Sequence, residues 1–299
     1  MKTYIGVDIG GTNVRVAKIS HDGIILYEAK GPSYAQEGPE KVMSHLMEMI
    51  EEVPNYQECS GIGIGVPGPV DTIKGEMVMS TNLPGFEHYP IAKEIEDRFH
   101  LPTFVDNDAN VAGLAEALLG AGKGLPVVYY ITHSTGIGGA LVVGGRVVSG
   151  MNGHAGEIGN IIVNRETKIY NHLNAGAVEN EASGTAIVRK ACERINPNIT
   201  SAGEVFQLAK EGNEVAEEII DAMAYDFAVM MASIAHVVDP FCFVIGGGVT
   251  KSRALYIEKL KKYFYSMVHE GMRGVEICFA QLEEPGILGA AMLPASFGK

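Results

Sequence analysis

From Tyr4 to Ile9 the chain is almost continuously apolar, and it then breaks on Gly10-Gly11-Thr12. An apolar run closed by a turn reads as a buried strand. Val14 to Ile19 alternates, which predicts a second strand with one face in the core. His21-Asp22-Gly23 is the turn into a third strand, Ile24 to Glu28. Over Pro39 to Val53 the period changes, and Val42, Met43, Leu46, Met49 and Ile50 recur at helical spacing. A short strand follows, Gly61 to Val66, ending in Pro67-Gly68-Pro69.

The same order then recurs. Val127 to Thr132 reads as a strand, Ser134 to Gly139 as a glycine-rich turn, Ala140 to Val143 as a strand, Gly144-Gly145 as a hairpin turn and Arg146 to Ser149 as a strand. A long helical region, about Val178 to Ala235, leads to a buried strand, Cys242 to Ile245, closed by Gly246-Gly247-Gly248. The pattern predicts a duplicated α/β architecture, each half opening with a hairpin pair whose first turn is rich in glycine. A dinucleotide-binding unit would need a helix directly after that turn, not a second strand. Linkers poor in Ser and Pro predict halves that pack closely with a cleft between them, a common place for ligands.

Composition narrows the function. The chain has 299 residues, 46% hydrophobic and 20% charged, as expected of a globular enzyme. Its net charge of −13 comes from scattered acidic residues, with no basic stripe, so no nucleic-acid surface is expected. Cys59, Cys192, Cys242 and Cys278 form no CxxC pair, and they read as buried thiols in a reducing compartment rather than as a disulfide framework or a thiolate metal site. MKTYIGVDIGG lacks a signal-peptide core and no apolar run suggests a membrane span, so a cytoplasmic protein is expected.

The glycine turns carry candidate chemistry. Asp8-Ile9-Gly10-Gly11-Thr12-Asn13 sets a carboxylate at a strand end, two residues without side chains, and then a hydroxyl. Backbone N–H groups there can approach phosphate oxygens, and Asp8 can hold a hydrated Mg²⁺. Thr135-Gly136-Ile137-Gly138-Gly139 is the counterpart in the second half, so a triphosphate gripped from both sides is expected. Gly246-Gly247-Gly248 is a candidate for receiving adenine or ribose.

Asp106-Asn107-Asp108-Ala109-Asn110 lies where extended residues give way to a helix-compatible run, Ala112 to Leu119. One Asp there would serve as a helix N-cap, but four polar side chains in five residues exceed what capping needs. In phosphoryl transfer an Asp beside the acceptor hydroxyl takes its proton. Asp108 is the candidate base and Asn107 the candidate acceptor contact. Glu157, in the glycine frame Gly156 to Gly159, and Glu179, at a predicted helix start, are further carboxylates suited to sugar hydroxyls.

Together these strings resemble the ROK family of sugar kinases and sugar-responsive repressors. DIGGTN (8–13), GVPGPVD (65–71), NLPGF (82–86), VDNDAN (105–110), TGIGGA (135–140), GHAGEIG (153–159), ENEASG (179–184), IGGGV (245–249) and GILGAA (286–291) occur in the family's order over essentially the whole chain. The resemblance implies the actin-like ATPase (ribonuclease H-like) fold, with a small domain of residues 1–107 completed by a C-terminal helix, 287–299, and a large domain of 108–286. It implies ATP with Mg²⁺, a homodimer, Asp108 as base, and sugar contacts at Gly68, Asn82, Asn107, Glu157, Asn160 and Glu179. The implied activity is phosphorylation of the 6-hydroxyl of glucose or a β-glucoside, with N-acetylmannosamine or fructose as alternative substrates.

One departure stands out. Most family members bind zinc through a His after the glycine-framed Glu and three Cys in a CxCGxxGC pattern. Here those positions are Asn160, Tyr170, His172 and Ala177. A lone His172 cannot complete a tetrahedral site, so no zinc is expected. Asn160 in place of the His, together with a 161–178 segment released from coordination, predicts room at the anomeric end of the sugar. A repressor of the family would need a winged helix-turn-helix before DIGGTN, and only seven residues precede Asp8. A non-catalytic sugar sensor would have no use for Asp108 or the phosphate turns.

Overall fold

The computed structural model describes residues 1–80 and 82–297. Strands β1 (Thr3–Ile9), β2 (Asn13–Ser20) and β3 (Ile25–Pro32) form an antiparallel meander, followed by helix α1 (Pro39–Glu51) and strand β4 (Ile62–Val66). The short pair β5 (Val70–Asp71) and β6 (Glu76–Met77) precedes α2 (Ile91–Phe99), β7 (Thr103–Asn107) and α3 (Asp108–Leu118). The sheet order is β3-β2-β1-β4-β7, with β1–β4 and β4–β7 parallel. β1 is central and buried along nearly its whole length, as its apolar run predicts. All five apolar positions that predict α1 face the core, and Pro39 occupies its first turn, where a missing N–H costs nothing.

The second series runs β8 (Val127–His133), β9 (Ile137–Val143), β10 (Arg146–Val147), α4 (Val178–Ala182), α5 (Gly184–Arg194), α6 (Ala202–Lys210), α7 (Glu214–Val238), β11 (Cys242–Gly246), α8 (Ile257–Met267), β12 (Glu276–Phe279) and α9 (Pro285–Phe297). Its sheet order, β10-β9-β8-β11-β12, repeats the topology of the first sheet strand for strand, so the duplication read from the sequence is present. The expected 178–235 helical region is present as four helices, α4 to α7. α7 is long and apolar enough to cross a membrane, contrary to the expectation that no run reaches that length; 67% of its most apolar window is buried, where α4, α5, α6 and α8 pack against it.

The chain forms two compact units, residues 1–130 with 140–156 and 281–299, and residues 131–139 with 157–280. The expected division at 107/108 is not where they part. α3 stays with the first unit because it packs against α9 and because Gly113 lies close under Tyr130 and Ala140. α9 belongs to the first unit too, and residues 298–299 of the expected 287–299 helix lie outside the described residues. The approach of α9 to the sheet is close: a Cβ on Gly63 would stand 1.8 Å from the Ala290 carbonyl oxygen, and one on Gly289 would stand 1.6 Å from that of Val111. Glycine in GILGAA is therefore a packing requirement.

Candidate functional site

In the first unit the chemistry centres on the β7–α3 junction. Asp106 is 1% exposed, and its carboxylate accepts from the Asn107 N–H (2.7 Å), the Asn110 side-chain amide (2.7 Å) and the Ser149 hydroxyl (3.1 Å). Burial pushes its pKa up, and these three donors pull it back. Asn107 is the N-cap: its Oδ1 accepts from Ala109 N–H (2.9 Å) and Asn110 N–H (3.4 Å), while its Nδ2 donates to the Gly68 carbonyl (3.1 Å). One Nδ2 hydrogen is all that remains to the Asn107 side chain for a ligand. Asp108 stands exposed on the first turn of α3, its Oδ1 accepting the Ala109 N–H at 2.7 Å. The junction therefore divides its polar groups by depth: Asp106 and Asn110 are inside, Asp108 is outside.

The first glycine turn lines a pocket of ≈ 330 Å³ with Asp8, Gly10, Gly11, Thr12 and Asn13. The turn is closed by Gly10 N–H donating to Asn13 O (2.9 Å), so the Gly10 amide is committed to the fold. Asn82 lies against it; a Cβ on Gly11 would come within 3.0 Å of the Asn82 carbonyl oxygen. Arg15 and Lys30, which no motif singles out, also line this pocket. Arg15 sits directly across the ladder from Asp8 and ion-pairs with Glu28 (2.6 Å) and with Glu284. Burial pushes the Asp8 carboxyl up, Arg15 lowers it, and Glu284 raises it further.

In the second unit the two remaining glycine turns converge. Thr135 and Gly248 line one pocket of ≈ 540 Å³ together with Gly184, Ser201, Phe206 and Val249. The Thr135 turn is sewn to the α4–α5 junction: Gly184 N–H donates to Ser134 O (2.8 Å) and Thr185 N–H to Thr135 O (3.2 Å). Beneath it, His133 is wholly buried, with Nε2 2.8 Å from Ala182 O and its ring stacked on Phe227 at 4.5 Å. Burial drives the His133 pKa down to about 4, against the raising pull of the Ala182 carbonyl. Gly247 requires its glycine, having φ +90° and a would-be Cβ 2.4 Å from His133 O. Gly246 is buried at the end of β11, and Gly138 lies on β9 beyond the turn. Gly184, Thr185, Ser201 and Phe206 were not anticipated, although ENEASG ended on the first of them.

Glu179 occupies the first turn of α4, as expected, and its Oε2 accepts the Ile137 N–H at 2.8 Å. A Cβ on Gly136 would stand 2.6 Å from that same oxygen. Glu157 is exposed at the start of a one-turn helix, Ile158–Asn160. Asn160 does not leave the following segment loose. Its Oδ1 accepts from Asn174 N–H (2.7 Å), and backbone bonds Val163 N–H to Gly176 O (2.9 Å) and Val178 N–H to Ile161 O (2.8 Å) zip the segment's ends. Arg189 clamps its middle, lying 4.0 Å over the Tyr170 ring and donating to the Tyr170 hydroxyl (2.9 Å). The expectation of a freed 161–178 segment is thus corrected: backbone and side-chain hydrogen bonds and a cation–π contact hold it.

The four cysteines are not all buried, contrary to expectation. Cys59 and Cys242 are buried, but Cys192 and Cys278 are only partly so, and Cys242 and Cys278 come together with Glu276 on neighbouring strands. Nothing in their spacing along the chain signals this, because a strand pairing makes the contact.

The ROK family model matches residues 4–296. A glucokinase of Thermotoga maritima is 31% identical over 304 residues, spanning 97% of this chain and 96% of that protein. The crystal structure of a ROK hexokinase from Thermus thermophilus superposes with a TM-score of 0.89 at 32% identity, covering 99% of this chain and 98% of that one. A ROK family glucokinase from Streptomyces griseus, in complex with glucose and AMPPNP, is similar with a TM-score of 0.76 at 29% identity, covering 97% and 98%.

Proposed function

The chain belongs to the ROK family, and on that premise we propose that it is an ATP-dependent sugar kinase acting on the 6-hydroxyl of glucose or a β-glucoside, with Asp108 as general base. The observation that carries the reading is the β7–α3 junction. A buried, fully engaged Asp106 fixes the turn on which Asp108 is exposed, the arrangement a positioned base requires. Asp108 takes the proton of the sugar hydroxyl as its oxygen bonds the γ-phosphorus. The bond from that phosphorus to the β–γ bridging oxygen breaks, and ADP leaves.

The ≈ 540 Å³ pocket suits the nucleoside, with Phe206 and Val249 offering apolar surface and Thr135 and Ser201 offering hydroxyls. Asp8, whose carboxyl is pushed up by burial, gains from a nearby divalent charge, and with the Thr12 hydroxyl it gives the hard oxygen donors that Mg²⁺ prefers. Mg²⁺, when bound, would neutralise charge on the phosphates; Asp8 would hold it through water. Glu179 and Glu157 would receive sugar hydroxyls. The tied 161–178 segment favours the free sugar over the glycoside, since Asn160 is engaged with Asn174 rather than standing aside.

The test is a coupled ADP-release assay across glucose, methyl β-glucoside, cellobiose, N-acetylmannosamine and fructose, with wild type and Asp108→Asn. We expect glucose to give the highest kcat/KM and Asp108→Asn to lose about 10²–10⁴-fold in kcat while still binding sugar. Near-normal turnover in Asp108→Asn would remove Asp108 from the mechanism, and no ADP release with any sugar would remove the kinase.

A further inference from the structure

β12 is the last strand of the second sheet, pairing in parallel with β11, and the register sets Cys242 opposite Glu276 and Val244 opposite Cys278. Side chains alternate along a strand, so Glu276 and Cys278 share one face of β12 with Cys242 beside them on β11. The other face is occupied: Phe243 packs edge-on against Phe264 of α8 at 5.8 Å, and Arg253 lies 4.9 Å over Phe279. The Sγ of Cys242, the Sγ of Cys278 and a carboxylate oxygen of Glu276 all lie within 4.8 Å of one another. We propose that these residues form a binding site for a thiophilic divalent cation, Zn²⁺ among the common ions, which ties edge strand β12 to β11.

The donor set selects the ion. Two thiolates with one carboxylate suit zinc and cadmium, whereas Mg²⁺ and Ca²⁺ take oxygen donors. Around a tetrahedral zinc with bonds of about 2.3 Å, two sulfurs stand about 3.8 Å apart, so rotamer changes alone can close the observed spacing. A disulfide fits less well. Cys242 and Cys278 are diagonal across the parallel ladder, one strand spacing across and two residues along, so their Cα atoms stand about 8 Å apart, beyond the usual reach of that bond. Three protein ligands leave a fourth position, and the exposed Glu276 carboxylate places it toward solvent.

Burial pushes the Cys242 thiol up, and Cys278 beside it adds to the shift. Both thiols must lose their protons to bind, and the Cys242 Sγ must leave the Phe243 carbonyl 3.4 Å away. Binding therefore tightens as pH rises and releases two protons per ion. The site is remote in sequence from Asn160, Tyr170, His172 and Ala177, the positions on which the expectation of no zinc rests.

The experiment titrates Cd²⁺ into the reduced, full-length protein, following the thiolate-to-metal charge-transfer band and proton release in weak buffer. One equivalent should bind with the intensity of two thiolates and release two protons. Cys278→Ser, at a partly exposed position that tolerates the change, should weaken binding by more than about 100-fold, since even outer-shell partners of a metal site are worth 10–100-fold. Glu276→Gln should weaken it less, and Cys192→Ser should leave it unchanged. Saturating Zn²⁺ should raise the Tm of wild type but not of Cys278→Ser. Equal affinity in Cys278→Ser and wild type, a one-thiolate band, or no saturable binding would each overturn the site.

Discussion

Truncating Asp106 tests whether the β7–α3 junction is held as the structure implies. In Asp106→Ala three donors lose their acceptor: the Asn107 N–H, the Asn110 amide and the Ser149 hydroxyl. The Asn110 amide and the Ser149 hydroxyl are buried whereas Asn107 is only partly so, which leaves two buried donors stranded. At about 1–3 kcal/mol for each unsatisfied buried donor, the loss comes to about 2–6 kcal/mol, a large part of the 5–15 kcal/mol typical of a domain. Asp106→Asn should cost far less, because its Oδ1 still accepts from Asn107 and Asn110 while its Nδ2 donates to Ser149 Oγ. The two variants also separate in pH. The Asp106 pKa is raised in the fold above the ordinary 3.8, so its protonated form is favoured there; the stability it contributes is present below that pH and falls as the pH rises through the raised value. Wild type should accordingly lose ground to Asp106→Asn as the pH climbs above 3.8. Urea unfolding across that range, with kcat measured in parallel, reads both effects. An Asp106→Ala protein within about 1 kcal/mol of wild type would refute the accounting, because at least two buried donors would then have cost nothing.

Three other outcomes are expected. Gly136→Ala drives a methyl to 2.6 Å from the Glu179 carboxylate, so the Ile137–Glu179 bond must shift; kcat/KM should fall at least about 10-fold with the fold intact by circular dichroism. Arg189→Ala removes the clamp on Tyr170 and should raise the KM for sugar more than it lowers kcat, with Arg189→Lys restoring only part because a lysine lacks the planar fork. His133, lowered to about 4, stays neutral in the fold while the unfolded chain takes up its proton near 6.5, so the stability it contributes is present above 6.5 and is lost as pH falls toward 4. Its imidazole resonance should not titrate between pH 5 and 8, and a midpoint near 6.5 would contradict its burial.

Much of the architecture was legible along the chain because it depends on local periodicity. The apolar run of β1, the alternation of β2 and the helical spacing of α1 each predict their own burial, and the repeated order of strands and glycine turns exposes the duplication. The polar junction at 105–110 was legible for a similar reason, since four polar side chains cannot all be caps. Tertiary structure decided how those side chains divide. Neighbours distant in the chain, Ser149 and Gly68, made Asp106 an anchor and engaged Asn107, leaving Asp108 exposed. It likewise placed α3 with α9, held 161–178 with Arg189 and brought Cys242 to Cys278. A pattern within the chain reports which face of an element is apolar. Which face it meets is set by close packing between segments far apart in sequence, where the fit of Gly289 under Val111 or of Arg189 over Tyr170 leaves no periodic trace.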